Sequence, residues 1–173
     1  MAKHVTLIGM MGAGKSTVAP VLAAQIGRQA IEVDSLIEKQ EGTPIGEIFI
    51  AKGEAYFRRA ENAMIAQLIK QPPAVLSLGG GAFQWEDTRK LLLDQTVVFY
   101  LSATLDVLCS RLQGSTANRP MLTMGGIDLQ STVRDLLERR GLYYGMAHYR
   151  VETDFHDPAE VARAIATLRE AYA

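Results

Sequence analysis

Residues 9–17 read Gly-Met-Met-Gly-Ala-Gly-Lys-Ser-Thr, which fits the pattern G-x-x-x-x-G-K-[ST]. An apolar run at 5–8 precedes it and a helix-like pattern follows, the setting this pattern requires. Gly12 and Gly14 permit backbone angles that turn successive N–H groups inward around a phosphate. A helix opening near Lys15 adds the positive end of its dipole. Gly12, Ala13, Gly14, Lys15, Ser16 and Thr17 therefore predict a nucleoside triphosphate site. In it Lys15 reaches the β and γ phosphates, and the Ser16 hydroxyl is placed to ligate Mg2+. The plain alternative is a glycine-rich strand-to-helix turn that happens to carry a lysine, and the setting weighs against it.

A phosphate cradle names the donor and leaves the acceptor open. In an open α/β sheet the acceptor belongs at the carboxyl ends of other strands. Glu32-Val33-Asp34-Ser35 follows the second apolar run, and Gly79-Gly80-Gly81 follows the third. Asp34 can accept from a hydroxyl, or cap a helix over 35–40. Three consecutive glycines weaken a chain unless the backbone must approach something closely. Arg58 stands beside Arg59 and ahead of Glu61, and Arg139 stands beside Arg140. Each is a fork suited to a carboxylate, although arginines are ordinarily surface residues. Phe49 and Phe57 are ordinary core residues or walls for an apolar ring face.

Five short apolar runs, at 5–8, 30–33, 74–78, 97–101 and 149–152, predict strands. Helical patterns fall near 15–26, in pieces over 34–70, and near 86–93, 104–112, 129–145 and 157–171. The runs at 75–78 and 97–101 are almost continuously apolar, the mark of strands covered on both faces of a parallel sheet. Strand alternating with helix predicts an α/β domain. Pro20 falls inside the first helical pattern, where it deletes one backbone N–H, and predicts a bend. Residues 113–127 carry Gly114, Pro120, Gly125 and Gly126 without helical periodicity, which reads as a lid or an excursion.

Composition narrows the classes. The chain has 173 residues, 48% of them hydrophobic, and a formal net charge of −1. That fits one folded domain and gives no electrostatic case for gripping nucleic acid or an anionic membrane. Its single cysteine, Cys109, excludes an internal disulfide and predicts a reducing, cytoplasmic setting. No stretch has the length of a membrane span.

Taken together, these residues resemble the shikimate kinases. The matching motifs are Gly12 to Thr17, Asp34 with Ile37-Glu38, Gly46-Glu47-Ile48-Phe49, Gly53-Glu54-Ala55-Tyr56-Phe57-Arg58 with Glu61, and Gly79-Gly80-Gly81. Arg111, Arg119-Pro120-Met121-Leu122, Glu138-Arg139, Leu142-Tyr143 and Ala147 continue them in order. The resemblance implies a P-loop, nucleoside-monophosphate-kinase-like fold: three α/β/α layers around a five-stranded parallel sheet of order 2-3-1-4-5. It implies one domain, 1–173, with a substrate-binding subdomain at about 34–61 and a lid at about 113–126.

The implied reaction is ATP-dependent phosphorylation of the 3-hydroxyl of shikimate, giving shikimate 3-phosphate and ADP, a step toward chorismate and the aromatic amino acids. The resemblance assigns catalysis to Lys15, Asp34 and Arg119, with Arg119 arriving over the phosphates from the lid. It assigns adenine stacking to Arg111 and Mg2+ to Ser16 and Glu32. Shikimate falls to Asp34, Arg58, Arg139, Gly79, Gly80, Gly81, Phe49 and Phe57. The family register selects Arg139 over Arg140. The sequence departs from the usual pattern at Glu32, where Asp is usual, and at Gly141, where Pro is usual. A monomer acting on a small molecule, with no nucleic acid or membrane partner, is the expectation. Two alternatives stay open: another small-molecule P-loop kinase, for gluconate or a nucleoside monophosphate, and a nucleotide-binding module without turnover.

Overall fold

The computed structural model describes residues 3–114 and 128–172. The most apolar runs become the middle of the sheet. Strands β1 (His4–Ile8), β3 (Val75–Ser77) and β4 (Thr96–Ser102) are buried almost throughout. The shorter β2 (Ala30–Glu32) and β5 (Tyr149–Glu152) are only partly buried and take the edges. All pairings are parallel, in the order β2-β3-β1-β4-β5. This is the predicted order, and the two edge strands carry charged residues, Glu32, Arg150 and Glu152, because an edge strand has one neighbour and less cover.

The register puts the chemistry side by side. Ser77 pairs with Leu7 on one side and with Glu32 on the other. The carboxyl ends of β1, β3 and β2 are therefore level, and the segments that follow them, at 9–14, 79–81 and 33–34, open on one rim of the sheet.

Helix α1 (Lys15–Gln25) follows the phosphate loop and lies against α8 (Pro158–Tyr172). The predicted helical stretch at 34–70 is three helices: α2 (Val33–Glu41), α3 (Ile45–Lys52) and α4 (Glu54–Leu68). Left-handed Gly42 ends the first, and Gly53 separates the second from the third. A 3-10 turn (Ala82–Gln84) leads to α5 (Glu86–Gln95), and α6 (Leu105–Gln113) follows β4. Helix α7 (Leu129–Tyr144) begins at Asp128, whose side chain accepts from Ser131 N–H, and it packs on α6.

Helix α1 is continuous through Pro20. Ser16 and Pro20 both lie on its exposed side, so the carbonyl that loses its partner faces water and the helix need not break. Arg119 and all but the first two residues of the predicted lid lie outside the described residues. Among the described residues, no helix is long and apolar enough to cross a membrane.

Candidate active site

The site begins where β1 runs into α1. Gly12 and Gly14 have φ of 84° and 98°, the left-handed region that favours glycine, and Gly14 is the residue on which α1 starts. The loop closes on itself through Ala13 N–H to the Met10 carbonyl at 3.1 Å. Lys15 is buried, and its Nζ donates to the Gly9 and Met10 carbonyls at 2.7 and 2.9 Å, which holds the ammonium across the mouth of the loop. Ser16 and Thr17 are exposed at the helix start. Arg111, on α6, reaches over the far side of the loop. Its guanidinium donates to the Gly12 carbonyl at 3.2 Å and to the Thr153 carbonyl at 2.8 Å.

The glycine triplet has a different reason from the glycines of the loop. None of its three residues has a positive φ. Each instead has a charged side chain pressed against the position a Cβ would fill. At Gly79 that Cβ would lie 2.8 Å from Asp34 Oδ2, and at Gly80 it would lie 2.7 Å from Arg140 Nη1. At Gly81 it would overlap Arg58 Nη2. One carboxylate and two guanidiniums thus converge on three consecutive residues, and glycine leaves them room where they stand; any side chain would push them back.

Asp34 sits in the first turn of α2 rather than capping it: the residue before the helix is Glu32, and no side chain caps it. Asp34 Oδ1 is buried and finds no hydrogen-bond partner among the described residues. Burial raises the carboxyl's pKa above its usual value, against the pull of Arg58 and Lys15, and the nearby Glu32 and Glu38 push it further up. Glu32 is half-buried at the end of β2, close enough for its charge to act on Asp34.

Arg58 projects from α4 and is held by Glu61 one turn on, Nη1 to Oε2 at 2.8 Å. Glu61 is wholly buried, and burial pushes its pKa up to about 7 although Arg58 opposes the rise. Phe57 is core, 2% exposed, with Arg58 Cζ 5.1 Å from its ring centre. Phe49 is half-buried and packs on Phe57 at 5.0 Å between centroids, so Phe49 is the one with ring surface left to offer.

Arg139 is not at the site. It is exposed, and its Nε donates to the Asp135 carbonyl of its own helix at 3.2 Å. The inward residue is Arg140, 6% exposed, with Nη1 against Gly80 and 4.0 Å from Met10 Sδ of the phosphate loop. Successive helix positions differ by about 100°, so two adjacent arginines cannot share one face. Helix α7 continues unbroken through Gly141, and its inward face carries Arg140 and Tyr144. Glu61 and Tyr144 also went unassigned in the sequence. The signal for Glu61 was its i+3 spacing from Arg58. For Tyr144 there was none: the matching motif took in its neighbour Tyr143 instead. Among the described residues, no three His, Cys, Asp or Glu side chains gather as a metal cage.

This arrangement has close relatives. The family model for shikimate kinase matches residues 11–169. A shikimate kinase of Zymomonas mobilis is 41% identical over 163 residues, 94% of this chain and 91% of that protein. One from Oceanobacillus iheyensis is 36% identical over 95% of this chain and 88% of its own length. The solved structure of the Acinetobacter baumannii shikimate kinase in complex with shikimate superposes with a TM-score of 0.90 at 32% identity, covering 99% of this chain and 95% of that one. The phosphate loop and the charged ring around the glycine triplet thus sit in a chain similar to shikimate kinases over nearly its whole length, and the chain belongs to the shikimate kinase family.

Proposed function

We propose that this chain transfers the γ-phosphoryl group of ATP to the 3-hydroxyl of shikimate, releasing shikimate 3-phosphate and ADP, as one step of aromatic amino-acid synthesis. The carrying observation is the convergence of Asp34, Arg58 and Arg140 on Gly79–Gly81, on the same rim as the phosphate loop. Shikimate is a small ring with one carboxylate and three hydroxyls. A site for it needs cations for the carboxylate and acceptors for the hydroxyls, and this pocket has both.

Each group has a task. Arg58, steadied by Glu61, and Arg140 clamp the carboxylate with charge-assisted hydrogen bonds. Asp34 Oδ1, buried without a partner among the described residues, accepts the 3-hydroxyl and turns its oxygen toward the phosphates. Its raised pKa makes it a better proton acceptor than an ordinary aspartate, though alignment carries most of the rate in a loose transition state. Lys15 and the loop N–H groups hold the phosphates and take up charge as the bond to the leaving oxygen stretches.

Ser16 and Glu32 are the oxygen donors available to Mg2+. Their number suits an ion that is bound through one or two protein oxygens plus phosphates and water. When bound, it neutralises the β and γ oxygens. Arg111, which anchors the loop through the Gly12 carbonyl, is the residue this reading gives to adenine stacking. The reading includes a monomer working in the cytoplasm.

The test is ADP release from ATP with shikimate, gluconate and nucleoside monophosphates as separate acceptors. Shikimate-dependent release is expected. Phosphorylation of gluconate or a monophosphate with shikimate inert would overturn the acceptor, and ATP binding with no acceptor-dependent release would overturn catalysis.

A further inference from the structure

Tyr144 is one of the largest side chains the fold buries completely, at 1% exposed, yet it ends in a hydroxyl. That hydroxyl donates to the Gly80 carbonyl at 2.5 Å. The ring is stacked on Tyr100 of β4, centroids 4.9 Å apart and planes 24° apart. Burial pushes the phenol's pKa up to about 12, with the Arg140 guanidinium beside it pulling the other way. The group is therefore a proton donor throughout the neutral range. Both i and i+4 on the inward face of α7 thus bear on one residue: Arg140 lies against the Gly80 α-carbon, and Tyr144 holds its carbonyl.

The Gly80 carbonyl shares a rigid peptide plane with the Gly81 N–H, and in a trans peptide the two point in opposite directions. Fixing one fixes the other. Among the described residues, neither the Gly80 nor the Gly81 N–H finds a backbone acceptor. Glycine on both sides of a plane leaves it unusually free to rotate, because no Cβ opposes the motion. Ala82 N–H closes a turn on the Gly79 carbonyl at 3.2 Å, which holds the ends of the triplet but leaves the central Gly80–Gly81 peptide free to flip unless something else holds it.

We propose that Tyr144 is a positioning residue for the acceptor: its hydroxyl locks the Gly80–Gly81 peptide so that the Gly81 N–H is held pointing away from α7, ready to donate to the bound hydroxy-acid. Tyr100 fixes the ring, the ring fixes the hydroxyl, and the hydroxyl fixes the peptide. This rests on the reading above that the glycine triplet faces the acceptor, and it adds the element that fixes the central peptide of the turn.

Tyr144→Phe removes the hydroxyl and keeps the stacked ring. In the full chain, KM for shikimate is expected to rise about 3- to 10-fold, the worth of one neutral hydrogen bond. KM for ATP should stay within twofold, and the melting temperature should stay close to that of the parent. A structural role would instead lower the melting temperature and leave the two KM values moving together; that result, or an unchanged shikimate KM, would overturn the proposal. A second readout needs no acceptor. The Gly81 amide resonance, 15N-labelled, should be single and sharp in the parent chain, and shifted or exchange-broadened in Tyr144→Phe. If shikimate proves inert with the parent, the reading of function fails, while the amide resonance still decides the lock: an identical Gly81 signal in both proteins would overturn it.

Discussion

The inward turn of Arg140 in place of Arg139 yields the sharpest test, because the two residues are neighbours with the same chemistry and opposite surroundings. Arg140 is 6% exposed, against Gly80 and the phosphate loop; Arg139 is exposed and bonded to its own helix. A charge-assisted hydrogen bond is worth about 1.5–3 kcal/mol, so losing one from the carboxylate clamp raises the acceptor's dissociation constant about 10- to 150-fold. Arg140→Ala is thus expected to raise KM for shikimate by that factor, with KM for ATP far less affected. Arg139→Ala should leave both within about twofold, since an exposed side chain that donates only to a backbone carbonyl contributes little. Because Arg140 is buried, Arg140→Lys serves as the control for packing: it keeps the charge and most of the volume but loses the fork, and should fall between parent and Arg140→Ala. Steady-state kinetics on the four proteins, with melting curves beside them, decide the matter. A large rise in shikimate KM for Arg139→Ala with none for Arg140→Ala would refute the geometry of the clamp.

Gly79→Ala places a methyl 2.8 Å from Asp34 Oδ2 and must displace the carboxylate. A misplacement near 1 Å costs on the order of 100-fold in rate, so kcat should fall by about that much while ATP still binds; near-parental kcat would show that Asp34 tolerates the shift. Glu61, with its pKa at about 7 in the folded protein, holds a proton that the unfolded chain has released above its ordinary 4.5. Its contribution to stability is therefore present below about pH 4.5, declines as pH rises toward 7 and is lost above. Glu61→Gln should remove that decline, so urea midpoints of parent and variant should diverge between pH 5 and 8, and parallel curves would exclude Glu61 as the source. Gly141→Pro deletes a helix N–H and crowds the preceding turn, a defect of about 3 kcal/mol. It is expected to weaken shikimate binding as Arg140→Ala does, and unchanged binding would show that α7 need not be continuous.

What the sequence disclosed and what it hid divide along a physical line. The fold was legible because strands buried on both faces must be apolar nearly throughout, and the runs at 75–78 and 97–101 are. The phosphate loop was legible because its function needs backbone conformations that few residues adopt, so Gly12 and Gly14 carry the requirement in their identity. The triplet was legible for a neighbouring reason, space rather than angle, and the structure shows three charged groups filling that space. Which arginine fills it was not legible, because that depends on helix phase, and the phase at 139 and 140 is set by where the helix starts. The family pattern usually has Pro at 141, and a proline there interrupts the helix. This chain has Gly141, which keeps the N–H that a proline would delete, and α7 runs on to Tyr144. An unbroken helix puts residues 140 and 144 on one face, and both meet Gly80. The choice between Arg139 and Arg140 is thus made upstream, by the phase of the helix that Asp128 starts, whereas continuity through Gly141 decides only whether Tyr144 joins Arg140 on the inward face.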